Sequence, residues 1–168
     1  LNWIKVSKDV VYIEGLPEQF EGFKVVQLSD LHNKEFGKEN NRLINNINKI
    51  EPDIVVITGD MLNNSQDISN NGEVLTNLLE NLDNIYPIYY VTGEHEEGLY
   101  YENEFKYLIE STKETYEEKL SNLGVTVLND EKTLIKRQNA ILNIYGLKEH
   151  LSGEIKIEER LGKPSENE

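Results

Sequence analysis

Five carboxylate and imidazole residues of this chain stand at the ends of hydrophobic runs, where they could bind a cation or move a proton: Asp30, His32, Asp60, Glu94 and His95. They fall in three short stretches, SDLH (29–32), TGD (58–60) and TGEH (92–95), which follow the hydrophobic runs VVQL, IVVI and IYYV. Carboxylate and imidazole donors together suit Mn, Fe or Zn better than Ca or the softest metals. His32 lies two residues after Asp30, on turning backbone where both side chains can face one point. Gly59 and Gly93 allow sharp turns directly before the acidic or basic group. In an open α/β sheet, ligands bind beyond the carboxyl ends of the strands, so groups far apart in sequence can converge there. Each residue alone has a plainer explanation, since an aspartate at a strand end is commonly a turn former or helix cap. The ordered set is harder to assign to coincidence.

The elements that must position these groups are readable from pattern. FKVVQLS (23–29), DIVVITG (53–59) and IYYVTG (88–93) read as buried strands, rich in β-branched residues with little polar alternation. Between the first two, Leu43, Ile44, Ile47 and Ile50 form a helical stripe that Pro52 terminates. Val74, Leu75, Leu78, Leu79 and Leu82 form a second helical stripe, and a third helix is expected over about 112–123, with Ser111 and Glu114 as a capping box. VTVLND (125–130), KTLIKR (132–137) and AILNIYGL (140–147) read as three more strands, the last two a hairpin around Gln138-Asn139. Residues 3–13 alternate apolar and polar and read as a short β-hairpin or edge-strand pair. Strand–helix–strand spacing of this kind predicts an α/β fold with a mixed, largely parallel sheet and flanking helices.

Composition narrows the partners. The 168 residues carry a formal net charge of -14, with 38% hydrophobic and 29% charged residues, which suits one soluble globular domain. So acidic a surface repels phosphate backbones and anionic lipid, which argues against nucleic-acid scaffold binding. An anionic substrate needs a local positive charge, which a metal ion can supply. There is no cysteine, so disulfides and thiolate metal sites are excluded. No apolar run approaches the roughly 18–20 residues needed to span a bilayer.

S-D-x-H, then G-D, then G-x-H-E, each closing a strand, resembles the calcineurin-like metallophosphoesterase superfamily. QLSDLHNKEFG and PDIVVITGDMLN are similar to its bacterial branch with a membrane anchor or export signal ahead of the domain. The resemblance spans about residues 4–150 and implies a four-layer α-β-β-α fold holding two divalent cations (Mn, Fe or Zn). It implies that Asp30 and His32 bind the first ion, that Asp60 bridges both, and that His95 protonates the leaving oxygen. The implied reaction is hydrolysis of a phosphate mono- or diester by a hydroxide bridging the two ions, in a phosphorylated small molecule or lipid.

Two departures qualify that expectation. Glu94 stands where the family has a neutral asparagine ligand of the second metal; it can ligate through oxygen, but it is longer and adds charge. The family's later histidines and its G-H-x-H motif are absent, and the chain has only His32, His95 and His150. Residues 1–168 therefore read as a single metallophosphoesterase-like domain truncated before its carboxyl-terminal strands, the first half of the fold, with a depleted second metal site and weak or no activity alone. His150 reads as a solvated loop residue. The alternative reading is a non-catalytic metal-binding or interaction module on the same scaffold. A phospho-acceptor receiver domain fits poorly, because it wants a paired acidic cluster after the first strand. The chain as given reads as soluble, with any tether or export signal ahead of Leu1.

Overall fold

The structure, a computed structural model, describes residues 3–63, 73–82, 85–97 and 117–149. Strands β1 (Val25–Leu28), β2 (Ile54–Thr58), β3 (Ile88–Val91) and β4 (Thr126–Val127) form one parallel sheet in the order β1-β2-β3-β4. Strands β5 (Glu131–Arg137) and β6 (Ala140–Gly146) form an antiparallel hairpin, a second sheet. Helix α1 (Asn41–Ile50) lies between β1 and β2 in the chain, α2 (Glu73–Glu80) between β2 and β3, and α3 (Glu94–Glu97) and α4 (117–122) between β3 and β4. This is the α/β class, with a largely parallel arrangement and flanking helices, that the pattern predicts.

Register decides which side chains share a face. Val26, Val55 and Ile88 lie side by side across the sheet, as do Leu28, Ile57, Tyr90 and Val127. These rows form one core with Leu43 and Ile47 of α1, Leu75, Leu78 and Leu79 of α2, and Leu120 of α4. The asparagine-rich sequence of α1 has low helix propensity, so its buried stripe is what holds it helical. Each fully buried leucine of α2 contributes roughly 1.5–3 kcal/mol. Helix α1 ends at Glu51, in left-handed conformation, one residue before Pro52. Asn40 is fully buried: its Oδ1 accepts from the Phe36 amide (3.0 Å) and its Nδ2 donates to the Val74 carbonyl (3.1 Å), tying the start of α1 to α2.

The hairpin turns at Gln138-Asn139 as expected, with Arg137 paired to Ala140. Arg137 anchors it to the rest of the fold. Its guanidinium lies 4.6 Å from the Phe23 ring centroid and 5.7 Å from that of Phe20. It also pairs with Asp53 and donates to the Gln19 carbonyl (3.2 Å).

Two expectations are corrected. Residues 3–13 form no strand; Trp3, Val10, Val11 and Tyr12 are exposed, and only Ile4 packs against the core. Alternation stabilises a strand only where neighbouring strands or a helix cover it, and none does so among the described residues. Strand β1 is not buried on both faces but lies at the sheet edge among the described residues, with Val25 51% exposed. A β-branched run marks a strand without saying where in the sheet it sits. Helix α4 falls inside the span expected for the third helix. The Ser111–Glu114 capping box and His150 lie outside the described residues.

Candidate metal centre

The register that builds the core also levels the strand ends. Leu28 pairs with Ile57, and Thr58 with Val91, so the residues that follow β1, β2 and β3 emerge side by side. The backbone stays paired past the regular strands: the amides of Asp30, His32 and Asn33 donate to the carbonyls of Gly59 (3.2 Å), Asp60 (3.1 Å) and Met61 (2.9 Å). Asp30, His32 and Asp60 all adopt left-handed backbone, with φ of 56°, 46° and 52°. Gly59 has φ 87°, and a Cβ there would collide with the backbone of Gly93; a Cβ on Gly93 would collide with the Asp60 carboxylate. The two glycines thus let the turns after β2 and β3 touch.

His32, Asp60 and His95 converge. Each offers one donor atom, these atoms lie within 4.8 Å of one another, and all three residues are half-buried. The imidazole rings stand edge to face, with centroids 4.7 Å apart and planes at 74°. His32 Nδ1 lies 3.3 Å from the Leu62 carbonyl oxygen, and His95 Nδ1 bonds the Asn63 carbonyl oxygen. A carbonyl oxygen can only accept, so both Nδ1 atoms carry the proton. That leaves Nε2 as the nitrogen able to ligate or exchange a proton. Asp60 is oriented in turn, its Oδ1 accepting from the His95 amide at 3.0 Å.

The other two expected residues stand beside this group. Asp30 Oδ1 is 3.8 Å from His32 Nε2, the Asp30 side chain is exposed, and Ser29 Oγ donates to its Oδ2 at 2.5 Å. Glu94 Oε1 is 4.0 Å from His95 Nε2. Each of these carboxylates therefore approaches the cluster through one histidine.

Glu96, the last residue of the G-x-H-E motif, has no role assigned to it by the sequence. It is 1% exposed, and its carboxylate accepts four backbone amides: Asp60 (2.8 Å) and Gly93 (2.9 Å) on Oε2, Met61 (2.7 Å) and Leu62 (3.0 Å) on Oε1. Burial pushes its carboxyl above the usual range, and the Asp60 charge adds to that; the amides of Leu62, Gly93 and Asp60 pull the other way. One signal could have revealed it. A glutamate three residues after a glycine that opens a helix is the back-reaching half of a capping box. In GEHEEG that signal is masked by the neighbouring acids.

Two imidazoles and a carboxylate at this spacing form a group that could hold a divalent metal ion. A net charge of -14 favours cation capture. A separate cavity of about 340 Å³ lies between the other face of β2–β3 and the hairpin, and none of the three clustered residues lines it. No helix among the described residues is long and apolar enough to cross a membrane.

Comparison with known proteins points to metallophosphoesterases. An uncharacterized metallophosphoesterase of Bacillus subtilis, YkuE, is 29% identical over 101 residues, covering 59% of this chain and 35% of that protein. A zebrafish (Danio rerio) transmembrane protein with a metallophosphoesterase domain is 29% identical over 132 residues, covering 77% of this chain and 29% of that protein. The chain thus spans about a third of the length of these curated relatives. Among solved structures, the phosphopantetheinyl hydrolase PptH of Mycobacterium tuberculosis aligns with a TM-score of 0.45 and 15% identity, covering 73% of this chain and 41% of that one. The family model described as calcineurin-like phosphoesterase matches residues 23–165, and the chain belongs to that family.

Proposed function

We propose that this chain supplies the cation-holding strand ends of a metal-dependent phosphoesterase that hydrolyses a phosphate mono- or diester. The observation that carries the reading is the convergence of His32, Asp60 and His95 on one point from three separate strand ends. His32, through Nε2, and Asp60 would hold the cation, with Asp30 beside His32 as a further carboxylate donor. What a divalent cation supplies at such a site is Lewis acidity toward phosphate oxygens and the attacking water. His95, its Nδ1 turned to a backbone carbonyl, offers Nε2 to protonate the leaving oxygen. A second ion would draw on Asp60 and Glu94 as its oxygen donors. The substrate is a phosphorylated small molecule or lipid, since the net charge of -14 disfavours a nucleic-acid scaffold. A tether to the membrane in the whole protein is in keeping with the transmembrane name of the zebrafish relative.

A second reading, a metal-binding or interaction module without catalysis, draws support from Glu94 in place of asparagine. Hydrolysis of chromogenic phosphomonoesters and phosphodiesters by the whole protein with Mn²⁺ separates the two. The phosphoesterase reading predicts turnover that a chelator abolishes and that His95→Ala lowers by about 10²–10⁴. Saturable Mn²⁺ binding with no turnover under any divalent cation would leave the binding module standing.

A further inference from the structure

We propose that Glu96 is a positioning residue, whose buried carboxylate fixes the turn after β2 against the turn after β3 and thereby sets the separation of His32, Asp60 and His95. The inference rests on the reading of His32 and Asp60 as cation donors with His95 beside them, and its geometry can be tested without a cation.

The amides of Asp60, Met61 and Leu62 lie beyond the end of β2 and follow a left-handed residue, so the sheet ladder does not serve them. Glu96 accepts all three. The carbonyls of the same stretch do the opposite work: those of Asp60 and Met61 accept from the amides of His32 and Asn33. One short backbone segment is therefore held by Glu96 on its donor side and by the β1 extension on its acceptor side. Glu96 also accepts from Gly93, and Asp60 accepts from the amide of His95. The bonds make a closed circuit in which every ligand-bearing turn connects to this one carboxylate. A change in its reach displaces all three donors together.

The chemistry demands glutamate. Four N–H donors on two oxygens require that both oxygens accept, which an ionised carboxylate does. Glutamine would turn an amide NH₂ toward two of those donors, and aspartate is one methylene short. The neighbouring acids do not share this role, since Glu94 faces His95 and Glu97 bonds Thr92 and Lys148.

The test compares the full chain with Glu96→Gln and with Leu79→Ala, a core variant on α2 that removes apolar packing but no hydrogen bond to these turns. Mn²⁺ affinity is measured by EPR well below each melting temperature, and amide hydrogen exchange is followed in the metal-free proteins. The expected result is a 10- to 100-fold loss of Mn²⁺ affinity in Glu96→Gln, the range for groups that orient metal ligands, with Leu79→Ala binding like wild type. The amides of Asp60, Met61, Leu62 and Gly93 should be protected in wild type and exchange at least about tenfold faster in Glu96→Gln. Equal affinity in Glu96→Gln and wild type, or equal losses in both variants, overturns the proposal. If wild type binds no Mn²⁺, the cation reading falls and the exchange data alone decide on Glu96. If Glu96→Gln does not fold, unprotected amides at those four positions in wild type are the overturning result.

Discussion

Gly59 and Gly93 do more than permit a bend. At φ 87°, Gly59 sits where a side chain is strained, and its missing Cβ leaves room for the Gly93 backbone. Gly59→Ala should therefore destabilise the fold by roughly 2–4 kcal/mol, combining left-handed strain with a backbone collision, as urea denaturation would measure. Gly93→Ala should act on the site as well, because its methyl group displaces the Asp60 carboxylate; Mn²⁺ affinity should drop along with stability. A Gly93→Ala variant with wild-type affinity would show that the two turns are free to separate. The glycines and the clustered histidines and aspartate are legible in the sequence because each closes a hydrophobic run. Glu96 is not legible in the same way. The G-x-H-E motif contains it, but its role comes from burial beneath two turns, which only the folded chain shows.

At the scale of elements, the strands and helices that carry the motifs follow from hydrophobic period and from Pro52, while their surroundings do not. The misread segment 3–13 has the alternation of a strand but no partner among the described residues, and β1 has the composition of a central strand but an edge position. Both errors have one cause: periodicity reports local geometry, whereas pairing and coverage depend on distant residues. The attachment of the β5–β6 hairpin is of that distant kind. Arg137, 34% exposed in its side chain, joins Phe20, Phe23 and Asp53 in one contact. Lysine keeps the charge but loses the planar fork and the stacking. Arg137→Lys should cost about 1 kcal/mol and Arg137→Ala roughly 2 kcal/mol in thermal or urea denaturation. Wild-type stability in Arg137→Ala would show that the hairpin is held by its apolar face alone.

For the whole molecule, a parallel sheet in sequential order turns three distant motifs into neighbours. Leu28, Thr58 and Val91 end at one level because β1, β2 and β3 pair with almost no stagger. The sequence can place each motif after a strand, but it does not contain the register, and the convergence depends on register. A one-residue slip of β2 would carry Asp60 to the other face of its turn and dismantle the group. The net charge of -14 makes the entire surface attractive to cations, so weak unsaturable binding is a background to any specific site. The decisive measurement is an EPR titration of the chain with Mn²⁺ in moderate salt, repeated on Asp60→Asn. The account predicts saturable binding by the wild-type chain and at least a tenfold weaker affinity, on the order expected when a ligand is impaired, in Asp60→Asn. Unsaturable binding by the wild type, or the same curve from Asp60→Asn, would contradict it.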